Sequence, residues 1–250
     1  MQRIGTMVTP KKISSAVAMQ TVGRGASKSD IYQSIYAAII EHRLLPGTKL
    51  SEERVVRLFA VSRTQVRGVL QRLAVEQLVT LIPNRGAFVT KPTAEEAHDV
   101  LEVRRTLEPA VVTRLIARIA DGKACTAIKQ LRVLIRHERQ ARAHHDRRQS
   151  VRLSGDFHVL LAELSGSSIL ARLVRELTPL TCLAILAFEA PTGAACPDDE
   201  HHRLVDAIEA CDAAGACQIM IEHLHHIETA LDLGAANEQE LDLADVLFPA

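Results

Sequence analysis

The sequence predicts a mainly α protein in which three short helices and a β-hairpin precede an all-helical bundle. Three observations predict it. Aromatic residues make up 3% of the chain and Trp is absent, while Ala, Leu, Ile and Arg recur throughout, a composition suited to packed helices. Apolar residues repeat at three- and four-residue steps from about residue 30 to 75, and again from 93 almost to the end. Between these stretches, residues 78–90 read as two short strands around a Pro-Asn-Arg-Gly tip. With 250 residues and 47% hydrophobic content the chain can bury one large core or two modest ones, which excludes disorder of the whole.

Each element has a local cause. Residues 1–28 mix Gly, Ser, Thr, Lys and Met without periodicity and read as a flexible arm carrying Arg3, Lys11, Lys12 and Arg24. Ser29 or Asp30 caps a first helix whose inner face is Ile31, Ile35, Ala38 and Ile39, and Pro46-Gly47 lies beyond its end. Ser51 caps a second, with Glu52 and Glu53 in its first turn and Val55, Leu58 and Phe59 turned inward. After a turn at Ala60-Val61, Ser62 caps a third helix built on Val66, Val69, Leu70 and Leu73. Three helices and a hairpin wing over 29–92 make a winged helix-turn-helix. Thr93 then caps the first helix of an all-α unit over 93–232, in which Pro109 is expected to kink or divide the chain. Further helices are expected near 124–145, 149–165, 168–189, 198–213 and 215–232, with the longest internal loop at 191–197 and an acidic tail over 233–250.

The formal net charge of zero hides an asymmetry: 14 basic against 5 acidic residues in 1–92, or +9, and 16 against 25 in 93–250, or −9. One part suits a polyanion and the other does not. No run of about 18 apolar residues and no signal-peptide core is present, so a soluble cytoplasmic chain without a membrane partner is expected. Cys125, Cys182, Cys196, Cys211 and Cys217 form an odd set without a CxxC pair; they read as small buried thiols, not as a disulfide framework or a thiolate zinc site.

A helix-turn-helix presents the first turn of its third helix to the major groove. Here that turn is Ser62-Arg63-Thr64-Gln65-Val66-Arg67. Arg63 and Arg67 lie one turn apart, and either guanidinium can donate two hydrogen bonds to guanine O6 and N7. Thr64 and Gln65 reach a phosphate or a base edge. The helix starts at Ser51 and Ser62 offer backbone N–H groups to phosphates, with Arg54 beside the first of them. Arg85 and Gly86 at the wing tip suit the minor groove.

In the second half, Arg104 and Glu108 stand at i and i+4, suited to an internal ion pair or to an arginine facing a ligand carboxylate. His158, His201 and His223 come from three predicted helices and together could hold a divalent metal with open positions. His202, His225 and His226 read as packed or surface residues.

Residues 31–90 resemble the DNA-binding domain of the GntR family of regulators, on the stretches PGTKLSEE, VSRTQVR, LQRLAVEQLV and PNRGAFV. The resemblance carries DNA contacts onto Arg63, Thr64, Arg67 and Gly86. Glu53 departs from it, since a basic residue often stands there, and Gly68 takes the place of a common Glu. Residues 95–232 resemble the FCD sensing domain of the FadR-type branch, on EVRRTLEP, FHVLLAELSGSSIL, EHHRLVDAIEACD and AGACQIMIEHL. That resemblance implies a metal of Zn, Ni or Mn type held by His158, His201 and His223, with Ser154 where an Asp ligand is expected. Loss of that carboxylate lowers divalent affinity, and Asp156, two residues before His158, points to the opposite side of the helix. A metal-free pocket in which Arg104 and the histidines bind an anion directly is the alternative.

The resemblance thus implies a repressor, not an enzyme: a homodimer on a palindromic double-stranded operator, tuned by a small organic acid such as a sugar acid, hydroxy acid or dicarboxylate. Two other classes remain open at this point. One is a metal-dependent enzyme using the three histidines, and the other is a DNA-binding structural protein without an effector.

Overall fold

The structure, a computed structural model, describes residues 26–188 and 199–233. Arg3, Lys11, Lys12 and Arg24 of the expected arm, Cys196 and the 191–197 loop, and all of the expected acidic tail but Leu233 lie outside the described residues.

The head begins with α1 (Lys28–Ile40). Its cap is Ser27, not the expected Ser29 or Asp30: the Ser27 hydroxyl accepts from the Asp30 N–H while the Asp30 carboxylate takes the Ser27 N–H, a reciprocal box. A short strand β1 (Lys49–Leu50) follows, then α2 (Glu52–Phe59) capped by Ser51, and α3 (Arg63–Val75) capped by Ser62. The wing is β2 (Val79–Ile82) and β3 (Gly86–Val89), closed by an Arg85 N–H to Ile82 carbonyl bond of 3.0 Å. β1 was not expected from sequence; it joins the sheet antiparallel to β3, giving the order β1-β3-β2. Ile31, Ile35, Ile39, Val55, Val66, Leu70, Leu73, Val79 and Val89 form one core beneath these elements.

The bundle contains α4 (Ala94–Ala120), α5 (Ala127–Ala143), α6 (Arg147–Leu164), α7 (Ser168–Phe188), α8 (Glu200–Glu209) and α9 (Ala213–Thr229). Pro109 does not divide α4, which runs unbroken for 27 residues. The proline removes one donor, but its carbonyl still accepts from the Thr113 hydroxyl and the Cys217 thiol, and α4 packs along α9 through this region. Phe157, Leu101, Leu115, Leu131, Val205 and Met220 centre the bundle core. Among the described cysteines only Cys182 is buried; Cys125 and Cys211 are exposed and Cys217 lies between, so the reading as buried thiols holds for one of the four described. No described helix is long and apolar enough to cross a membrane.

Head and bundle meet through α1 against α6 and α7. Leu183 of α7 belongs to the head core, and Arg152 of α6 pairs with Glu41 at 3.4 Å.

Candidate functional site

The third helix starts as a local sequence rule requires. Ser62 and Gln65 form a capping box that fixes the first turn, with Val66, Val69, Leu70 and Leu73 buried below it. Arg63 and Thr64 are therefore held outward and exposed, and Arg63 makes no ion pair among the described residues. Arg67 is also exposed, but its Nε donates to Glu52 of α2 at 2.8 Å, so it must leave a carboxylate to meet a base. Gln65 spends its Oε1 on the cap, which leaves only its amide N–H groups for DNA. Ser51 likewise uses its hydroxyl on the Arg54 N–H at 3.4 Å. Arg54 is half-buried and Glu53 pairs with Arg57 on the outer face. At the wing tip Gly86 adopts a φ of +104°, which L side chains rarely take, and Arg85 projects from the exposed tip.

In the bundle the three predicted histidines do come together. His158 of α6, His201 in the first turn of α8 and His223 of α9 are all buried, and a nitrogen from each lies within 4.8 Å of the others. Every one of them is oriented from behind by a buried carboxylate. His158 Nδ1 donates to Glu108 at 2.6 Å, His201 Nδ1 to Glu138 at 2.8 Å and His223 Nδ1 to Glu200 at 2.7 Å. A carboxylate only accepts, so each Nδ1 carries a proton and each ring turns its Nε2 inward. His158 Nε2 and His223 Nε2 face each other at 3.1 Å, and His201 Nε2 is buried without a partner. Three converging imidazole nitrogens are held together favourably by a cation among them.

Burial pushes the His158 and His223 imidazoles down to about 4 and about 3, so neither holds a second proton near neutrality. Burial opposes ionisation of Glu108, yet Arg104 and His158 outweigh it and hold the carboxyl well below its usual range. Burial likewise works against Glu138 and Glu200, but their histidine partners, with Arg142 and His226, keep both lowered. The donor set thus fits a divalent cation: three imidazole Nε2 atoms in front and three charged carboxylates behind. Ser154 is half-buried and is not part of this cluster, while Asp156 is exposed and pairs with Arg152 at 3.8 Å.

Arg104 is 2% exposed. Its Nε donates to Glu108 at 2.6 Å and its Nη1 to the Thr181 hydroxyl at 3.1 Å, so both readings of the i, i+4 pair are joined: an internal ion pair whose remaining nitrogen, Nη2, is buried without a partner. A buried donor without an acceptor costs about 1–3 kcal/mol.

Sequence reasoning missed Glu138 and Glu200 as anchors. Glu138 had a signal, since it sits on the same helical face as Leu131, Ile135 and Ala141, where a solvated carboxylate does not belong. His226, read as a bland residue, pairs with Glu200 and so supports the site from outside; His202 pairs with Asp206 at the surface.

Residues 27–89 match the gntR family of bacterial regulatory proteins, and residues 99–226 match the FCD domain. Among relatives, the HTH-type transcriptional repressor RspR of Escherichia coli K12 is 24% identical over 205 residues, covering 80% of this chain and 87% of its own. The Uxu operon regulator of Haemophilus influenzae is 26% identical over 223 residues, covering 82% of this chain and 78% of its own. A solved GntR regulator from Rhodococcus sp. RHA1 superposes with a TM-score of 0.71 at 26% identity, covering 84% of this chain and 99% of that one. McbR/YncC of E. coli shares the fold, with a TM-score of 0.68 at 18% identity over 79% of this chain and 93% of that one. RspR and the Uxu operon regulator are named as regulators, not enzymes, and with the gntR and FCD matches present in order this chain belongs to the GntR family of bacterial transcriptional regulators, in the group that carries an FCD domain.

Proposed function

We propose that this protein is a cytoplasmic, homodimeric repressor whose affinity for a palindromic operator is set by a small carboxylate bound in the FCD domain through a divalent metal. The observation that carries this reading is the inward convergence of three Nε2 atoms, each ring fixed by a buried carboxylate. His158, His201 and His223 would hold the ion. Bound there, it supplies a Lewis-acidic positive charge that no protein carboxylate among its direct ligands offsets, because Ser154 offers no anionic oxygen. An open position on such an ion favours an anionic oxygen, and the unpartnered Nη2 of Arg104 adds a hydrogen-bond donor nearby.

On the DNA side, Arg63 reads bases at once, Arg67 does so after exchanging Glu52 for guanine, and Thr64 and the wing residues Arg85 and Gly86 hold the backbone or minor groove. Ligand and operator are linked because each favours one spacing of the paired heads.

A thermal-shift panel of sugar acids, hydroxy acids and dicarboxylates, run with Zn2+, Ni2+ or Mn2+ and with EDTA, tests the reading. An acid that raises Tm only in the presence of metal, and that alters the affinity for an operator selected from genomic fragments, is the expected result. Acids that stabilise equally in EDTA would point to direct anion binding by Arg104. No response to any metal or acid would overturn the sensor reading.

A further inference from the structure

One turn of α7 touches three parts of the molecule at three consecutive residues. Thr181, 2% exposed, accepts from Arg104 Nη1 at 3.1 Å and so reaches the centre of the bundle. The Cys182 backbone lies beside the ring of His42, a half-buried head residue just beyond α1. Leu183, 1% exposed, lies in the head core with Ile35, Leu73 and Val79. Successive residues of a helix point about 100° apart, so this one turn meets sensor, joint and head together, and it cannot rotate without disturbing all three.

The same stretch has a built-in weakness. Pro179 removes a backbone donor immediately before it. The Thr178 hydroxyl bonds back to the Val174 carbonyl at 2.7 Å and the Thr181 hydroxyl to the Leu177 carbonyl at 3.1 Å, holding this turn with side chains. On the other side Gly155 lets α6 come close: a Cβ there would stand 3.0 Å from Thr178 Cγ2. A proline next to a tight helix contact is where a helix bends.

We propose that the Thr181–Leu183 turn of α7 transmits occupancy of the histidine centre to the DNA-binding head, with Thr181 and His42 as the positioning residues at its two ends. The inference rests on the reading of that centre as a binding site. Charge added at the centre redistributes the hydrogen bonds of Glu108 and Arg104, the Arg104–Thr181 bond responds, and α7 bends at Pro179. Cys182 then shifts against His42 and Leu183 against the head core. His42 is suited to register this, since it holds a left-handed φ of 57° and its buried Nε2 lacks a partner.

The test uses the full-length protein and Zn2+ as probe. Calorimetry measures Zn2+ affinity, and hydrogen–deuterium exchange follows the head peptide spanning residues 36–46. Zn2+ should change exchange in that peptide by about fivefold or more in the parent. Thr181→Val should abolish the change while Zn2+ affinity stays within about threefold, and Thr181→Ser, which restores the hydroxyl, should restore it; His42→Gln should weaken it. A full head response in Thr181→Val with Zn2+ bound would overturn the proposal, as would a silent head in the Zn2+-loaded parent. If calorimetry shows no Zn2+ binding, the metal reading falls and a metal-free arm decides: Glu108→Gln, or Arg104→Lys should the first not fold, must alter exchange in 36–46 alone but not when combined with Thr181→Val. An undiminished effect in that combination would sink the proposal by itself.

Discussion

The two functional regions are built in opposite ways. At the start of α3, charged side chains stand in water on a turn held by its own cap; at the centre of the bundle, charged side chains are sealed from water and held by each other. The difference is energetic. An exposed arginine loses little on being idle, so the head can wait for DNA with Arg63 solvated and Arg67 resting on Glu52, a contact worth only about 0–1 kcal/mol. A buried charge must be answered in place, and the Arg104–Glu108–His158 chain does this at every atom except Nη2. The head is therefore tolerant and the centre brittle, and each of the following outcomes can break or sharpen that contrast.

The largest effect should come from acid. Metal-free protein holds His42, His158 and His223 at about 4, 4 and 3, pushed down chiefly by burial. Unfolding returns them to about 6.5, so between pH 6.5 and 5 the unfolded chain takes up protons that the folded chain refuses. Stability contributed by these groups is present in full above pH 6.5 and falls as pH drops toward 4, by up to about 1.4 kcal/mol per pH unit for each. Urea unfolding at pH 7.5 and 5.0 measures it; equal stability at both values would contradict the burial of neutral imidazoles. Next, Glu108→Ala should destabilise by about 3–5 kcal/mol, because it strands Arg104 in the interior. A loss below 1 kcal/mol by the same measurement would mean that Arg104 escapes to water.

In the head, Arg63→Ala should lose about 1–3 kcal/mol on the cognate operator and relax specificity, with Tm unchanged. Competition binding against a guanine-substituted operator checks it, and parental affinity in the variant would remove Arg63 from base reading. The smallest effect is Gly68→Ala. A Cβ there meets only the end of the Lys28 side chain, Nζ at 3.6 Å and Cε at 3.8 Å, ordinary contacts, so the variant should gain about 0.4–1 kcal/mol from helix propensity. A measured loss in urea unfolding would show that Gly68 is kept for close packing.

The same contrast explains what could be read from sequence. Ser51, Ser62 and Thr93 cap the helices they were expected to cap, because a cap is settled within four residues. The cap of α1 slipped to Ser27 for the same local reason, since Ser27 and Asp30 can form a reciprocal box. β1 was not legible: Lys49–Leu50 has no periodicity, and only the distant β3 makes it a strand. Pro109 does not divide α4, because packing of a long helix along α9 holds it together past the missing donor. The histidines could be picked out by type and spacing, but Glu138 and Glu200 could not be assigned to them, since which carboxylate lies behind which ring depends on how five helices pack.

Calorimetric titration of metal-free, full-length protein with Zn2+ tests the central claim most directly, with His201→Ala as control. One ion per chain in the parent, and binding weakened at least about tenfold in the variant, is the predicted result. A parent that binds no ion, or a variant that binds as tightly as the parent, would contradict the assignment of His158, His201 and His223 as a cation site.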